Sequence, residues 1–197
     1  MVDFQDGKAR CRWVDINDPL YRDYHDMEWG KPVHDDRKLY EFLILEGAQA
    51  GLSWKTILQR RNLYRSAFSG FQPEIIAEYG ADDISRLMKD TGIIRNRLKI
   101  NSAVNNARQF IRVQGEFGTF DAYMWGFVGG KALNGDRKSI EEIPPHTSLS
   151  KEISKDLRRR GFNFVGSTIC YSFMQAVGIV NDHTVECFRY SEVQEKD

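Results

Sequence analysis

The chain has 197 residues, and its 28 Lys and Arg balance 28 Asp and Glu, so its formal net charge is zero. That length suits one compact domain, 1–197, with ample core, and the balance excludes a protein that grips nucleic acid by bulk charge alone. No apolar run could span a bilayer and no signal-peptide pattern opens the chain, which points to a cytoplasmic protein with no membrane partner. Three cysteines cannot all pair, and they read as thiols or metal ligands.

The first residues, to about Ala9, are polar and are expected to fray. Cys11 and Trp13 follow. Asp18-Pro19 starts a helix, with Asp18 as cap and Pro19 in the first turn. Tyr21, Tyr24, His25 and Glu28 share one face of it, and Trp29-Gly30 with Pro32 breaks it. Asp35 or Asp36 opens a second helix whose apolar stripe is Leu39, Phe42 and Leu43. The next position in that series is Glu46, a carboxylate where a leucine is expected. Such a group is costly unless paired or given a task, so Glu46 is either an internal salt-bridge partner or a functional acid.

Small residues from Gly47 to Gly51 permit close approach of another segment. Leu52 falls at a helix junction, and Ser53 caps a third helix with Trp54 in its first turn and Ile57, Leu58 and Tyr64 inside. Taken singly, Tyr21, Tyr24 and Trp54 read as core packing. Further on, Asp82 is expected to cap a helix holding Ile84, Leu87 and Met88 that ends at Thr91-Gly92. A longer helix runs from Ile94 to about Phe110, and Thr119 opens another with Tyr123, Met124 and Phe127 inside. From Gly129-Gly130 through Pro144-Pro145 the chain reads as loop. No stretch alternates at period two, so the fold class is all-α.

Leu149, Ile153 and Leu157 repeat every four residues and mark a helix that Gly161 ends in a left-handed conformation. Gly166 permits a tight turn. Ser167 or Thr168 caps a further helix, which packs through Ile169, Phe173, Met174 and Val177 and stops at Gly178. Residues 149–178 thus form a helix-hairpin-helix, and the free amides at its second helix start suit a phosphate oxygen. Three basic clusters read as a local phosphate track: Lys55, Arg60, Arg61 and Arg65; Arg95, Arg97 and Lys99; Lys151, Lys155 and Arg158 to Arg160.

His183 and Cys187 stand four apart, about one helical turn, so both can face one ion. With Cys11 and His25 they offer two thiolates and two imidazoles, a set that suits zinc in a closed tetrahedron. Spacing alone leaves open two buried thiols and two ordinary histidines. If the site forms, it joins segments 11–25 and 183–187 and has no open position for water, so its role is structural. Asp182 is expected to cap the short helix carrying these ligands. Cys170 reads as a core residue, and His34 and His146 have no evident partners.

Five segments carry a resemblance: Asp18 to His25 with Glu28-Trp29-Gly30, Leu45 to Trp54, Gly92 to Arg95, Arg160 to Gly166, and Asn181 to His183. Over almost the whole chain they are similar to the bacterial type I DNA-3-methyladenine glycosylases of the helix-hairpin-helix superfamily. The chain departs from that pattern by one extra residue between Cys11 and His25. The resemblance implies a structural zinc ion on Cys11, His25, His183 and Cys187, one per chain. It implies a pocket in which Glu46 reads the base, Trp54 stacks on it and Tyr24 completes the catalytic set, with Tyr21, Trp29, Leu52 and Asn181 binding substrate. Leu52 is a candidate wedge in the gap left by an extruded nucleotide. Phe162, Val165, Gly166 and Ser167 would hold the DNA backbone. The implied partner is alkylated double-stranded DNA, the product free 3-methyladenine, and the state a monomer. A non-catalytic DNA-binding module would not need Glu46 beside Tyr24 and Trp54, and four protein ligands argue against a zinc hydrolase.

Overall fold

The computed structural model describes residues 6–194, so the part of the expected frayed start at 1–5 lies outside the described residues. Among them are ten α-helices: α1 (Pro19–Met27), α2 (Asp36–Gln49), α3 (Trp54–Ala67), α4 (Pro73–Ala77), α5 (Ala81–Lys89), α6 (Arg97–Phe117), α7 (Phe120–Gly126), α8 (Ser148–Arg159), α9 (Ser167–Ala176) and α10 (Phe188–Glu192). The all-α expectation holds, with one addition. Leu133–Asn134 (β1) and Val180–Asn181 (β2) form a two-residue parallel bridge. It is too short for alternation to reveal it.

Helix α2 is the central element. Every residue from Leu39 to Ala48 is buried, so its apolar surface runs all round rather than along the one stripe read from spacing. It packs against α3, α6, α7 and α9. Asp35 is its cap, accepting from the Lys38 amide at 2.8 Å. Asp36 does a different job: its carboxylate accepts from the Phe120 and Asp121 amides, both at 2.8 Å, and so pins the start of α7. At the other end, the Lys99 ammonium of α6 donates to the Ala48 and Ala50 carbonyls at 2.8 and 2.6 Å. A cation thus satisfies the open carbonyl end of α2 and favours its dipole. The close approach expected at the small residues occurs: a Cβ on Gly47 would sit 3.4 Å from Phe164.

Several boundaries differ from expectation. Helix α5 is capped by Gly80, whose amide donates to Asp83; Asp82 lies inside the first turn. Helix α6 begins after Asn96, whose side chain takes the Leu98 and Lys99 amides, and it continues to Phe117. Gly166 precedes α9 with no side-chain cap, so Ser167 and Thr168 do not cap. Residues 183–187 are turn rather than helix. Asp6 to Ala9 is tied down, because Arg10 bridges Asp6 and Asp26 and the Phe188 amide donates to Ala9.

The α8–α9 turn is held on both sides. After α8, the Phe162 amide donates to Leu157 and the Gly161 amide to Arg158, with Gly161 at φ +89°; this is the Schellman arrangement that glycine favours. From α6, Asn106 brackets Asn163, donating to its carbonyl at 2.9 Å and accepting from its amide at 2.8 Å. Asn105 donates to the Gly161 carbonyl.

Candidate active site and metal centre

A cavity of about 300 Å³ opens between α1, the end of α2, the start of α3 and α9. That is the low end of the ~300–1,000 Å³ range of small-ligand sites. Tyr21, Tyr24, Trp29, Glu46 and Trp54 all line it. Five residues scattered over the first 54 positions therefore meet on one wall. The Tyr24 and Trp54 rings stand 5.3 Å apart at 45°.

Glu46 is only 4% exposed. Burial pushes its carboxyl up to about 8, and no hydrogen bond or neighbouring charge acts to bring it down. The carboxylate locked against an arginine is a different one. Glu41, one turn and a half earlier, accepts from Arg61 at 2.6 Å and from Arg65 at 2.9 Å, and Glu28 takes the other side of Arg61 at 2.8 Å. Glu41 lies off the apolar stripe that picked out Glu46, yet it is buried as well. The Tyr24 hydroxyl is pushed well above its ordinary value, first by burial and then by the nearby Glu46. Trp54 Nε1 is buried without a partner.

The remaining wall was not legible in the sequence. Trp13, Gln49, Ile140, Ile143, Ser172 and Gln175 complete it. Ile140 and Ile143 come from the segment read as loop, where Ile140–Glu142 makes a short 3₁₀ turn. Asn181 stands elsewhere. Its amide donates to the Tyr190 carbonyl and its oxygen accepts from the His183 amide, and it does not line the cavity. Asp182 does not cap a helix; it is fully buried and accepts from Arg137, Tyr171 and Gln175. Leu52 is 40% exposed on the turn between α2 and α3, so junction packing does not account for it.

The hairpin presents backbone rather than side chains. Phe162 and Val165 are buried in the core, which leaves the uncapped start of α9 as the accessible feature. Part of the expected basic track is used internally. Lys55 pairs with Asp18, Arg60 donates to the Thr91 and Gly92 carbonyls, Arg61 and Arg65 hold Glu41, and Arg160 pairs with Glu116 and Asp156.

Cys11, His25, His183 and Cys187 converge, all buried, with their ligand atoms within 4.8 Å of one another. Three sulfur-to-nitrogen edges measure 3.5 Å: Cys11 to His183, Cys187 to His25 and Cys187 to His183. A tetrahedral zinc with standard bond lengths has such edges at about 3.6 Å. The outer contacts also fit. His25 turns Nδ1 to Asp26 at 2.8 Å, and His183 turns Nε2 to the Trp29 carbonyl at 2.9 Å. Each ring thereby presents its other nitrogen to the cluster, as a metal ligand does. The Cys187 thiol is held far below its ordinary value, first by the Cys11 thiol and then by the two imidazoles, which favours the thiolate that binds metal. Cys170 is buried in the core and takes no part. His34 does find partners, Asp121 at 2.8 Å and the Trp125 ring.

The site is thus an aromatic cleft with one buried acid, set in a helical domain. The family model described as methyladenine glycosylase matches residues 13–190. The chain is 48% identical over 181 residues to DNA-3-methyladenine glycosylase 1 of Escherichia coli K12, covering 92% of this chain and 96% of that one. It is 44% identical to the DNA-3-methyladenine glycosylase of Haemophilus influenzae, at 91% and 96% coverage. A crystal structure of 3-methyladenine DNA glycosylase I superposes with TM-score 0.89 at 48% identity, over 91% of this chain and 98% of that one. The Staphylococcus aureus enzyme, whose structure addresses 3-methyladenine recognition, superposes at 0.85 with 36% identity, over 87% and 91%. The chain belongs to the methyladenine glycosylase family.

Proposed function

We propose that this protein excises 3-methyladenine from alkylated double-stranded DNA as a monofunctional glycosylase, working as a cytoplasmic monomer. The observation that carries the reading is Glu46, a buried carboxyl with no internal partner, on the wall of a base-sized cavity beside Tyr24 and Trp54. An extruded adenine has an amino group that a carboxylate accepts and a face on which an indole stacks. Methylation at N3 makes the base cationic while it is attached to the sugar, so a nearby anion and aromatic faces favour it over adenine. In the free protein Glu46 holds a proton at neutral pH. A cation placed against it draws its pKa down, and the ion pair forms with release of that proton.

The damaged base is itself a good leaving group. Water attacks the sugar carbon as the bond to the base nitrogen breaks, the bonding pair neutralises the base, and the water proton passes to solvent. Most of the acceleration then comes from extrusion and electrostatic selection, with no strong acid or base required. No lysine lies between Gly161 and Gly178, so no amine in the hairpin offers a Schiff base and strand cleavage does not follow. The helix-hairpin-helix holds the DNA backbone through the amides of Gly166, Ser167 and Thr168 at the α9 start, while exposed Leu52 fills the duplex gap. The four-residue cluster holds one zinc ion, which ties the two ends of the domain together; the donor set and edge lengths support it.

The test is to incubate methylated DNA with the protein and identify the released bases. Free 3-methyladenine is expected, with excision strongly reduced in Glu46→Gln and retained in Asn181→Ala if that variant folds. Near-total loss in a folded Asn181→Ala with little effect of Glu46→Gln would reverse the assignment.

A further inference from the structure

We infer that Gln175 is a second base-edge acceptor in the cavity, and that buried Asp182 is the positioning residue that fixes its orientation; this rests on the glycosylase reading above. Gln175 stands in the cavity wall on α9. A glutamine amide can turn either its oxygen or its nitrogen toward a ligand, and the surrounding hydrogen bonds decide which. Here Nε2 donates to Asp182 Oδ2 at 2.8 Å. A carboxylate only accepts, so the amide nitrogen is held on the Asp182 side. Among the described residues no donor bonds the amide oxygen, and the side chain lines the cavity, so that oxygen is the group left for a ligand.

Asp182 is itself immobile. It is fully buried, accepts from the Tyr171 hydroxyl, and takes Arg137 Nε at 3.0 Å on its other oxygen. Gly135 closes the remaining side: a Cβ there would lie 2.0 Å from Asp182 Oδ1. Beside the β1–β2 bridge, the Gly135 amide donates a hydrogen bond to the Asn181 carbonyl at 2.9 Å, which holds that glycine in place. A rigid anion behind the glutamine therefore holds the amide nitrogen on the Asp182 side and turns the accepting oxygen toward the cavity. An acceptor welcomes an exocyclic amino group and repels a carbonyl oxygen at the same place. The arrangement selects 3-methyladenine, which carries an amino group on its six-membered ring edge, against 3-methylguanine, which carries oxygen there.

The experiment measures excision of both bases from methylated DNA by wild type, Gln175→Leu, Asp182→Asn and the double variant, with melting temperature and metal content as folding controls. Gln175→Leu is expected to lower kcat/KM for 3-methyladenine about tenfold, the scale of one lost hydrogen bond, and to narrow the preference over 3-methylguanine. Asp182→Asn is expected to narrow the preference too, because an asparagine can donate and release the amide to turn. In the Gln175→Leu background it should leave the preference unchanged, the signature of acting through that residue. A folded Gln175→Leu with unaltered preference overturns the inference, and it decides the matter even if Asp182→Asn does not fold. An equal effect of Asp182→Asn in both backgrounds removes Asp182 from the role. Wild-type protein that releases neither base sinks the glycosylase reading and this inference with it, whereas normal wild-type release with an indifferent Gln175→Leu sinks only the latter.

Discussion

Replacing Glu46 by glutamine should stabilise the protein, and by an amount that grows with pH. The carboxyl titrates at an ordinary 4.5 when unfolded and at about 8 in the fold. Between those values the folded protein holds a proton that the unfolded chain has already lost, so unfolding becomes easier as pH rises. Below pH 4.5 both states are protonated and the carboxyl costs nothing. At 1.36 kcal/mol per pH unit, the burden reaches about 3 kcal/mol at pH 7 and levels off near about 5 kcal/mol above pH 8. Glutamine keeps the shape and has no charge to bury, so it removes that burden. For a domain of this size 1 kcal/mol corresponds to about 2–4 °C, which puts the gain at roughly 6–12 °C near neutrality. The assay is thermal unfolding of both proteins from pH 4.5 to 8.5, free of DNA and of base. The quantity to follow is the difference in melting temperature, in which contributions common to the two proteins cancel. A difference that stays flat across the range would show that Glu46 is charged and solvated in the free protein, and the cavity argument would fail.

Three other outcomes follow from particular contacts. Purified protein should carry one zinc ion per chain by elemental analysis; Cys187→Ala should abolish it and lower the melting temperature, while Glu46→Gln keeps the full complement. Lys99→Met leaves the Ala48 and Ala50 carbonyls without their donor, at a cost of about 1–3 kcal/mol in a denaturant titration, and it should weaken excision because Leu52 and Trp54 sit just beyond that turn. Affinity for a methylated duplex should fall with salt, as phosphate neutralisation requires, with a modest slope in a salt series because so many arginines are paired internally; indifference to salt would exclude docking through the hairpin.

The sequence carried much of this, and the shortfall has identifiable causes. Helix starts with a side-chain cap were readable at Asp18, Ser53 and Thr119, where a short polar residue takes the orphan amides. The α5 start was misplaced because Asp82 has a capping side chain and Gly80, the real cap, has none; the α6 start was misplaced because apolar Ile94 extends the helical pattern ahead of the Asn96 cap. Glu46 announced itself by breaking an apolar series. Gln175 and Trp13 could not, since their meaning depends on what lies behind them: Asp182 for one, the metal cluster for the other. The basic clusters misled for the opposite reason. Charge is countable in a sequence, but whether Arg61 meets a phosphate or Glu41 depends on packing between α2 and α3.

The two halves of the site are one structure. The His183 ring donates to the Trp29 carbonyl, and a Cβ on Gly30 would come within 2.9 Å of that same ring. The Gly30 amide in turn donates to the Gln175 carbonyl at 3.0 Å. Trp13 stands edge-on to His25, Trp29 and Tyr21, with centroids 5.3, 5.0 and 5.2 Å away. The cluster therefore braces the aromatic wall from behind, although it contributes no atom to the cavity. An ion bound there has no open position for chemistry, yet its loss frees Trp13, Trp29 and the α9 backbone at once. Metal removal should then weaken binding of free 3-methyladenine before it unfolds the domain, seen as a loss of tryptophan quenching by the base at temperatures where circular dichroism is still unchanged. Binding that persists undiminished in the folded, metal-free protein would separate the two halves and leave the cluster as a staple of the termini alone.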